Sequence, residues 1–348
     1  MTGDAPVDSA LRTALEREGA SAFVHVGSAD DPSIRYCRPE LERKPERGRR
    51  ALAFDGREWR VRSATDTEAD PASTLADDLA AAGLEGTVLT PARIPHDAAL
   101  YLEGAGLSLT STDVVERARA TKTPAERERI GTAQAAAGAG IRRGASLLAG
   151  ADVVDGRLAI DGEPLTGRRL RTAIDGGIVA AGGFPDGNTA VSVPDGDPIR
   201  TGVPIVLETA PREPSGYYGG LARTYVRDGD GGDERRAHVG VTRAFRSAAS
   251  MLTADAQSVT AVEADLEAEV RAFGFEDEIR TRVVGVGLEP AERPNRGRQE
   301  IDGGAVVRLD AGVEIGDGRI RLAELFAVDE SVDWLESIPQ SLDPAALE

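Results

Sequence analysis

Cysteine, histidine, lysine and aromatic side chains are all scarce in this 348-residue chain. There is one cysteine, there are three histidines, and aromatics make up 4% of residues. All but two of the 41 basic residues are arginine, the exceptions being Lys44 and Lys122. The lone Cys37 excludes an intrachain disulfide framework and any structural zinc site built on cysteine pairs. A buried, unreactive thiol in a cytoplasmic protein is the expectation. No stretch of about 18 apolar residues occurs, so no membrane-spanning helix and no membrane partner are expected. The first ten residues carry Asp4 and Asp8 without a basic segment and apolar core, so they do not read as a secretory signal. There is no Gly-x-Ser-x-Gly elbow and no P-loop, and Gly285 and Gly287 lack the helix-opening third glycine of a dinucleotide fingerprint.

Acid, in contrast, is abundant: 59 Asp and Glu give a formal net charge of −18. Such a chain is repelled by phosphate backbones, so nucleic acid is not an expected partner. The carboxylates are spread along the whole sequence, which suits a salt-rich cytoplasm. At molar salt the Debye length falls to about 3 Å and self-repulsion is screened. Salts excluded from protein surfaces also strengthen apolar burial. The expected result is a melting temperature that falls as KCl is lowered from molar concentration; thermal melts at the two extremes check it, and equal values would overturn it.

The length, with 41% apolar residues, suits two domains. In the first, helices are predicted at 11–18, 75–82 and 95–104, and strands at 22–26 and 86–89. A hairpin is predicted from 51–54 and 59–61 around Asp55-Gly56. In the second, Thr123, Pro124 and Glu126 form a capping box ahead of an Ala-rich helix ending near Leu148. Further helices are predicted at 165–179, 234–252 and 259–273. Strands are predicted at 188–193, 204–210, 217–227, 282–288, 305–313 and 320–328. Residues 228–233, Asp-Gly-Asp-Gly-Gly-Asp, read as a strand-to-helix turn, since a calcium loop needs about twelve residues and a closing Glu. The polar, Pro-containing last dozen residues read as a loose tail. Strands interleaved with helices indicate a mixed α/β fold.

Six segments, in order, carry a resemblance. They are 119–126 (Arg-Ala-Thr-Lys-Thr-Pro-Ala-Glu), 202–208 (Gly-Val-Pro-Ile-Val-Leu-Glu), and Gly216-Tyr217 followed by Arg223-Thr224-Tyr225. The others are 285–288 followed by Glu292 and Pro294, 304–312 (Gly-Ala-Val-Val-Arg-Leu-Asp-Ala-Gly), and 321–328. Their order and spacing resemble the M24 peptidases, the group of aminopeptidase P, prolidase, methionine aminopeptidase and creatinase. The resemblance implies a creatinase-like N-terminal α/β domain (1–118), a pita-bread domain (119–335) and a C-terminal tail (336–348). Tyr36 would lie in a strand of the first. Relatives with this N-terminal domain are often dimers, so a homodimer is expected.

The resemblance stops at the chemistry. Active relatives hold two metal ions with Asp, Asp, His, Glu and Glu. Carried over, these positions are Glu208, Gly220, Val284, Asp310 and Ala323, with two further site histidines falling at Val193 and Ala291. Glu324 is no substitute for Ala323, because a one-residue shift points a strand side chain to the opposite face. His25, His96 and His238 match none of these positions. Glu208 is a methylene longer and Asp310 a methylene shorter than the residues they replace, whereas ligand distances hold to about 0.2 Å. The metal-free scheme of creatinase needs a histidine at or near Val193, and valine moves no proton. Neither a metal nor another cofactor is therefore expected.

What remains is a polar cleft: Glu208, Arg223, Glu292, Asp310 and Arg321, with Arg282 and Glu289 beside them. Arg223 and Arg321 are expected to pair with Glu208 and Asp310, because unpaired buried carboxylates are costly. A eukaryotic histone-chaperone domain of similar fold lacks peptidase function and serves as a binding module. The expected function is that of a non-catalytic homologue that binds an unidentified peptide, protein or small molecule in its cleft. The alternative is an Xaa-Pro aminopeptidase or prolidase-type hydrolase.

Overall fold

The computed structural model describes residues 6–43, 48–65, 69–253, 257–276 and 278–347. Residues 1–5, part of the segment read as lacking a secretory signal, lie outside them. The chain divides into two compact units, residues 1–119 and 120–348.

The first unit runs α1 (Pro6–Glu18), β1 (Ala22–Ser28), α2 (Pro32–Cys37), β2 (Arg49–Phe54), β3 (Trp59–Ser63), α3 (Pro71–Ala81), β4 (Gly86–Pro91), α4 (His96–Gly104), β5 (Leu107–Thr112) and α5 (Val114–Ala120). Its sheet has the order β3-β2-β1-β4-β5. The expected hairpin is β2–β3. Asp55 closes its turn by accepting hydrogen bonds from the Arg57 and Glu58 amides at 2.9 Å, and Gly56 supplies the positive φ of 88°. Tyr36 departs from expectation, since it lies in α2 rather than in a strand. The reason is local. Asp31 caps the Ser33 and Ile34 amides and Pro32 fits the first helical position, so the segment coils before it can extend. Cys37 is buried, and burial pushes its thiol well above the usual range, with Asp8 and Asp31 adding to the effect.

The second unit opens with α6 (Pro124–Ala149), β6 (Asp152–Val154), β7 (Arg157–Ile160), β8 (Glu163–Pro164), α7 (Gly167–Ala180), β9 (Thr189–Val191), β10 (Ile205–Thr209) and β11 (Leu221–Tyr225). It continues with α8 (Asp233–Met251), β12 (Gln257–Ser258), α9 (Val259–Arg271), β13 (Ile279–Gly285), β14 (Glu300–Ile301), β15 (Val306–Ile315), β16 (Gly318–Val328) and β17 (Val332–Trp334). The main sheet is antiparallel, in the order β13-β15-β16-β11-β10-β9, with β17 added beside β16.

The capping box forms as expected: the Thr123 amide donates to Glu126 Oε2 at 2.8 Å and Thr123 Oγ1 accepts from the Glu126 amide. Gly140 and Gly144 let α7 approach α6 closely, because a Cβ at Gly140 would lie 2.8 Å from Ile178 Cγ1. Residues 228–233 form the expected turn, with Asp228 and Gly231 at positive φ, and α8 starts at Asp233.

Strand alternation divides the sheet between two uses. Val307, Leu309, Ala311 and Val313 of β15 face the core built by α8 and α9, and Leu207, Leu221 and Tyr225 face the core of α6 and α7. Each fully buried aliphatic side chain contributes roughly 1.5–3 kcal/mol. The alternate residues are left to the opposite face, where the cleft lies.

Residues 336–347, the described part of the expected tail, are not loose. Ile338 is buried, and Arg223 donates to the carbonyls of Ile338 and Pro339. Ser337 and Gln340 donate to Glu324 Oε1 at 2.9 and 3.2 Å. The segment is held because its backbone carbonyls supply further acceptors to the buried Arg223 guanidinium, beside Glu324 and the Ala222 and Ala323 carbonyls.

Candidate functional site

Strand register sets the site. Glu208 pairs with Ala222, Ala222 with Ala323, Ala323 with Asp310, and Asp310 with Arg282. Register partners point to one face, so this row places two carboxylates on either side of two alanines. Arg321 stands two residues before Ala323 on β16, and Arg308 two residues before Asp310 on β15, so both guanidinium stems rise from that same face.

The two arginines clamp the two carboxylates. Arg321 Nε donates to Asp310 Oδ1 at 2.8 Å and its Nη2 to Oδ2 at 2.6 Å. Its Nη1 and Nη2 also donate to Glu208 at 2.6 and 2.9 Å. Arg308 Nη2 bridges Glu208 Oε1 and Asp310 Oδ2. These are charge-assisted, bidentate contacts. The four side chains are 11–22% exposed and form a charge-balanced set.

Burial alone would raise the Glu208 carboxyl, but hydrogen bonds from Arg321 and the charges of Arg308 and Arg321 hold it down, to about 2. Burial alone would lower Arg321, but Asp310 and Glu208 raise it well above its usual value. Neither group is tuned for proton transfer near neutrality, which a general base requires.

Small residues make the clamp possible. A Cβ on Gly220 would lie 3.1 Å from Arg308 Cδ, so the bare backbone there accommodates the arginine stem. The Gly220 amide donates to Gln134 Oε1 at 2.8 Å. A Cβ on Gly312 would sit 3.0 Å from Arg321 Cβ. Val284 and Ala323 are buried, and Val284 pairs in register with Arg308.

Of the expected cleft residues, Glu208, Asp310 and Arg321 come together. Arg223 does not join them, because it alternates with Ala222 and therefore points to the other face. There it meets Glu324, with both side chains fully buried, and donates as well to the Ala222 and Ala323 carbonyls. That also places Glu324 away from the site, as the alternation required. Glu292 is likewise elsewhere: its Oε1 accepts from Lys122 Nζ at 2.7 Å in a buried ion pair. Lys122 belongs to the segment leading into α6, so this pair ties that segment to the loop after β13. Sequence reasoning missed Arg308, although its two-residue spacing from Asp310 on one strand was the available signal.

Among the described residues no group of three or more His, Cys, Asp and Glu side chains is placed to hold a metal ion, and no helix is long and apolar enough to cross a membrane. No curated protein matches the chain. Its structure is similar to that of the prolidase from Pyrococcus horikoshii OT3, at 14% identity and TM-score 0.76, covering 97% of this chain and 99% of that one. It is similar too to the Xaa-Pro dipeptidase from Bacillus anthracis, at 15% identity and TM-score 0.77, covering 97% and 98%. The N-terminal domain of the FACT complex subunit SPT16 from Cicer arietinum (chickpea) superposes with TM-score 0.74 at 13% identity, covering 98% and 97%. The model of metallopeptidase family M24 matches residues 129–330, which run from within α6 to just past β16 and hold all four members of the clamp, and with more than half the chain accounted for in this way the protein belongs to that family.

Proposed function

We propose that the chain is a non-catalytic M24 protein whose cleft binds a ligand or partner without metal. On this reading the family's metal-ligand positions are Glu208, Gly220, Val284, Asp310 and Ala323. The observation that supports it is the clamp: Arg308 and Arg321 deliver positive charge to Glu208 and Asp310, the charge a metal pair would otherwise bring. Gly220, Val284 and Ala323 offer no side-chain donor atoms, so these residues do not suit two transition-metal ions. Without a metal, a hydrolytic water needs a general base, and Glu208 is held as a weak one.

A prolidase-type hydrolase is the second reading, favoured by the names of the structural neighbours. The test is metal content. Protein purified in molar KCl is incubated with Mn²⁺, Co²⁺ or Zn²⁺, desalted in KCl, and its metal counted beside a Glu208→Ala variant. No stoichiometric metal is expected, and no cleavage of Xaa-Pro dipeptides. Stoichiometric metal that the variant loses would hand the site to the hydrolase reading.

A further inference from the structure

Beside the clamp the same sheet face carries a second set of arginines that the clamp leaves free. Arg280 and Arg282 lie two apart on β13, the end strand of the sheet, and Arg319 lies two before Arg321 on β16. Register places Arg280 opposite Gly312, and Gly312 opposite Arg321 on its other side. Gly312 has no side chain to fill the interval. The result is a slot of about 330 Å³, floored by Gly312, with Arg280 and Arg282 on one wall and Arg319 and Arg321 on the other. Arg321 is fully engaged with Glu208 and Asp310. Arg280, Arg282 and Arg319 make no ion pair with any described residue, and Arg280 and Arg282 are exposed.

Two carboxylates limit what the slot accepts. Glu314 stands opposite Arg319 in register and Glu278 precedes β13; both line the slot, and neither closes an ion pair with a described residue. They weaken the attraction for a single negative charge. A ligand with several oxyanion groups engages Arg280 and Arg282 together through forked hydrogen bonds, and those short-range contacts outweigh the two carboxylates. Asp310 does not add to the repulsion, because the clamp already neutralises it.

We infer that this slot binds a small multivalent oxyanion, a polyphosphate or a polycarboxylate, with Arg280, Arg282 and Arg319 as its ligating groups. The inference rests on the reading of the cleft as a binding site and names the chemistry of what it binds. Its volume suits a small molecule, being at the lower end of ligand-pocket sizes.

The test uses pyrophosphate and citrate as probes, with acetate as the monovalent control, at constant ionic strength on the full chain. Calorimetric titration is run on the wild type, on Arg280→Ser/Arg282→Ser, and on Arg57→Ser/Arg93→Ser. The last pair is exposed in the first unit and removes the same charge. Binding of at least one multivalent probe, weakened at least tenfold by the first double variant and unchanged by the second, is the expected result. Binding of pyrophosphate alone assigns phosphate chemistry, and binding of both probes assigns multivalent charge. No binding of either probe, or equal losses in the two double variants, overturns the inference. Metal is counted on the same samples. A metal-loaded protein that still binds through Arg280 and Arg282 sinks the function proposed above and keeps the slot, and a metal-free protein that ignores every probe does the reverse.

Discussion

Replacing Arg223 with alanine is expected to cost about 3–5 kcal/mol of unfolding free energy, the range for breaking a fully buried ion pair by removing one partner. Both Arg223 and Glu324 have zero side-chain exposure, so the variant strands a carboxylate with no water to solvate it. Ser337 and Gln340 donate to Glu324 Oε1, which softens the loss without replacing a full positive charge. The same change removes the donor that holds the Ile338 and Pro339 carbonyls. Amide exchange in residues 336–342 should therefore accelerate more than exchange elsewhere in the second unit. Removing both charges, as Arg223→Met/Glu324→Leu, should recover the part of the loss due to the stranded charge, but not the part due to the carbonyls that Arg223 served. Denaturant titration of the three proteins checks this, and a single variant within about 0.5 kcal/mol of wild type, the range of an ordinary surface substitution, would refute the assignment.

The clamp should announce itself in acid. Glu208 is held at about 2 against an ordinary 4.5, so the folded state binds its proton less readily than the unfolded chain does. The stabilisation is complete above about pH 4.5, and it is lost as pH falls through the folded value, because the unfolded state takes up the proton first. The shift corresponds to on the order of 3 kcal/mol at neutral pH. Glu208→Gln should lose that amount at pH 7 and show a shallower fall in stability between pH 4.5 and 2 than the wild type. Arg321→Ala should cost a similar amount, below that for Arg223 because its site is partly open to solvent. Urea unfolding across this pH range reads both. Parallel pH profiles for wild type and Glu208→Gln would mean that Glu208 is not clamped in solution.

Most of the scaffold was legible wherever one local rule dominated. The box of Thr123 and Glu126 placed the start of α6, and the six strands predicted in the second unit lie within a few residues of β9, β10, β11, β13, β15 and β16, while the short β6, β7, β8, β12, β14 and β17 were not predicted. Leu107–Thr112 escaped notice because it is an end strand built largely of Ser and Thr, with a weak apolar pattern. The segment after Trp334 escaped for a different reason. Its anchors are backbone carbonyls, which no residue type advertises. At the site, Glu208, Asp310 and Arg321 were legible as cleft groups. Their partner was misassigned to Arg223, although Arg223 neighbours Ala222 in sequence and so takes the opposite face. Arg308 required asking what fills the space over Gly220, a question of volume rather than of charge.

That glycine also governs how the cleft could be rebuilt. An aspartate introduced at Gly220 would press on the Arg308 stem, which passes 3.1 Å from the position of its Cβ, and would put a third acid against two bases. Shortening Arg308 first leaves Arg321 alone between two carboxylates. Either single change leaves one excess negative charge, and both together leave two, with three carboxylates facing Arg321 alone. The charge balance worsens at each step in either order, so a three-carboxylate cleft holds together only once a cation enters with it.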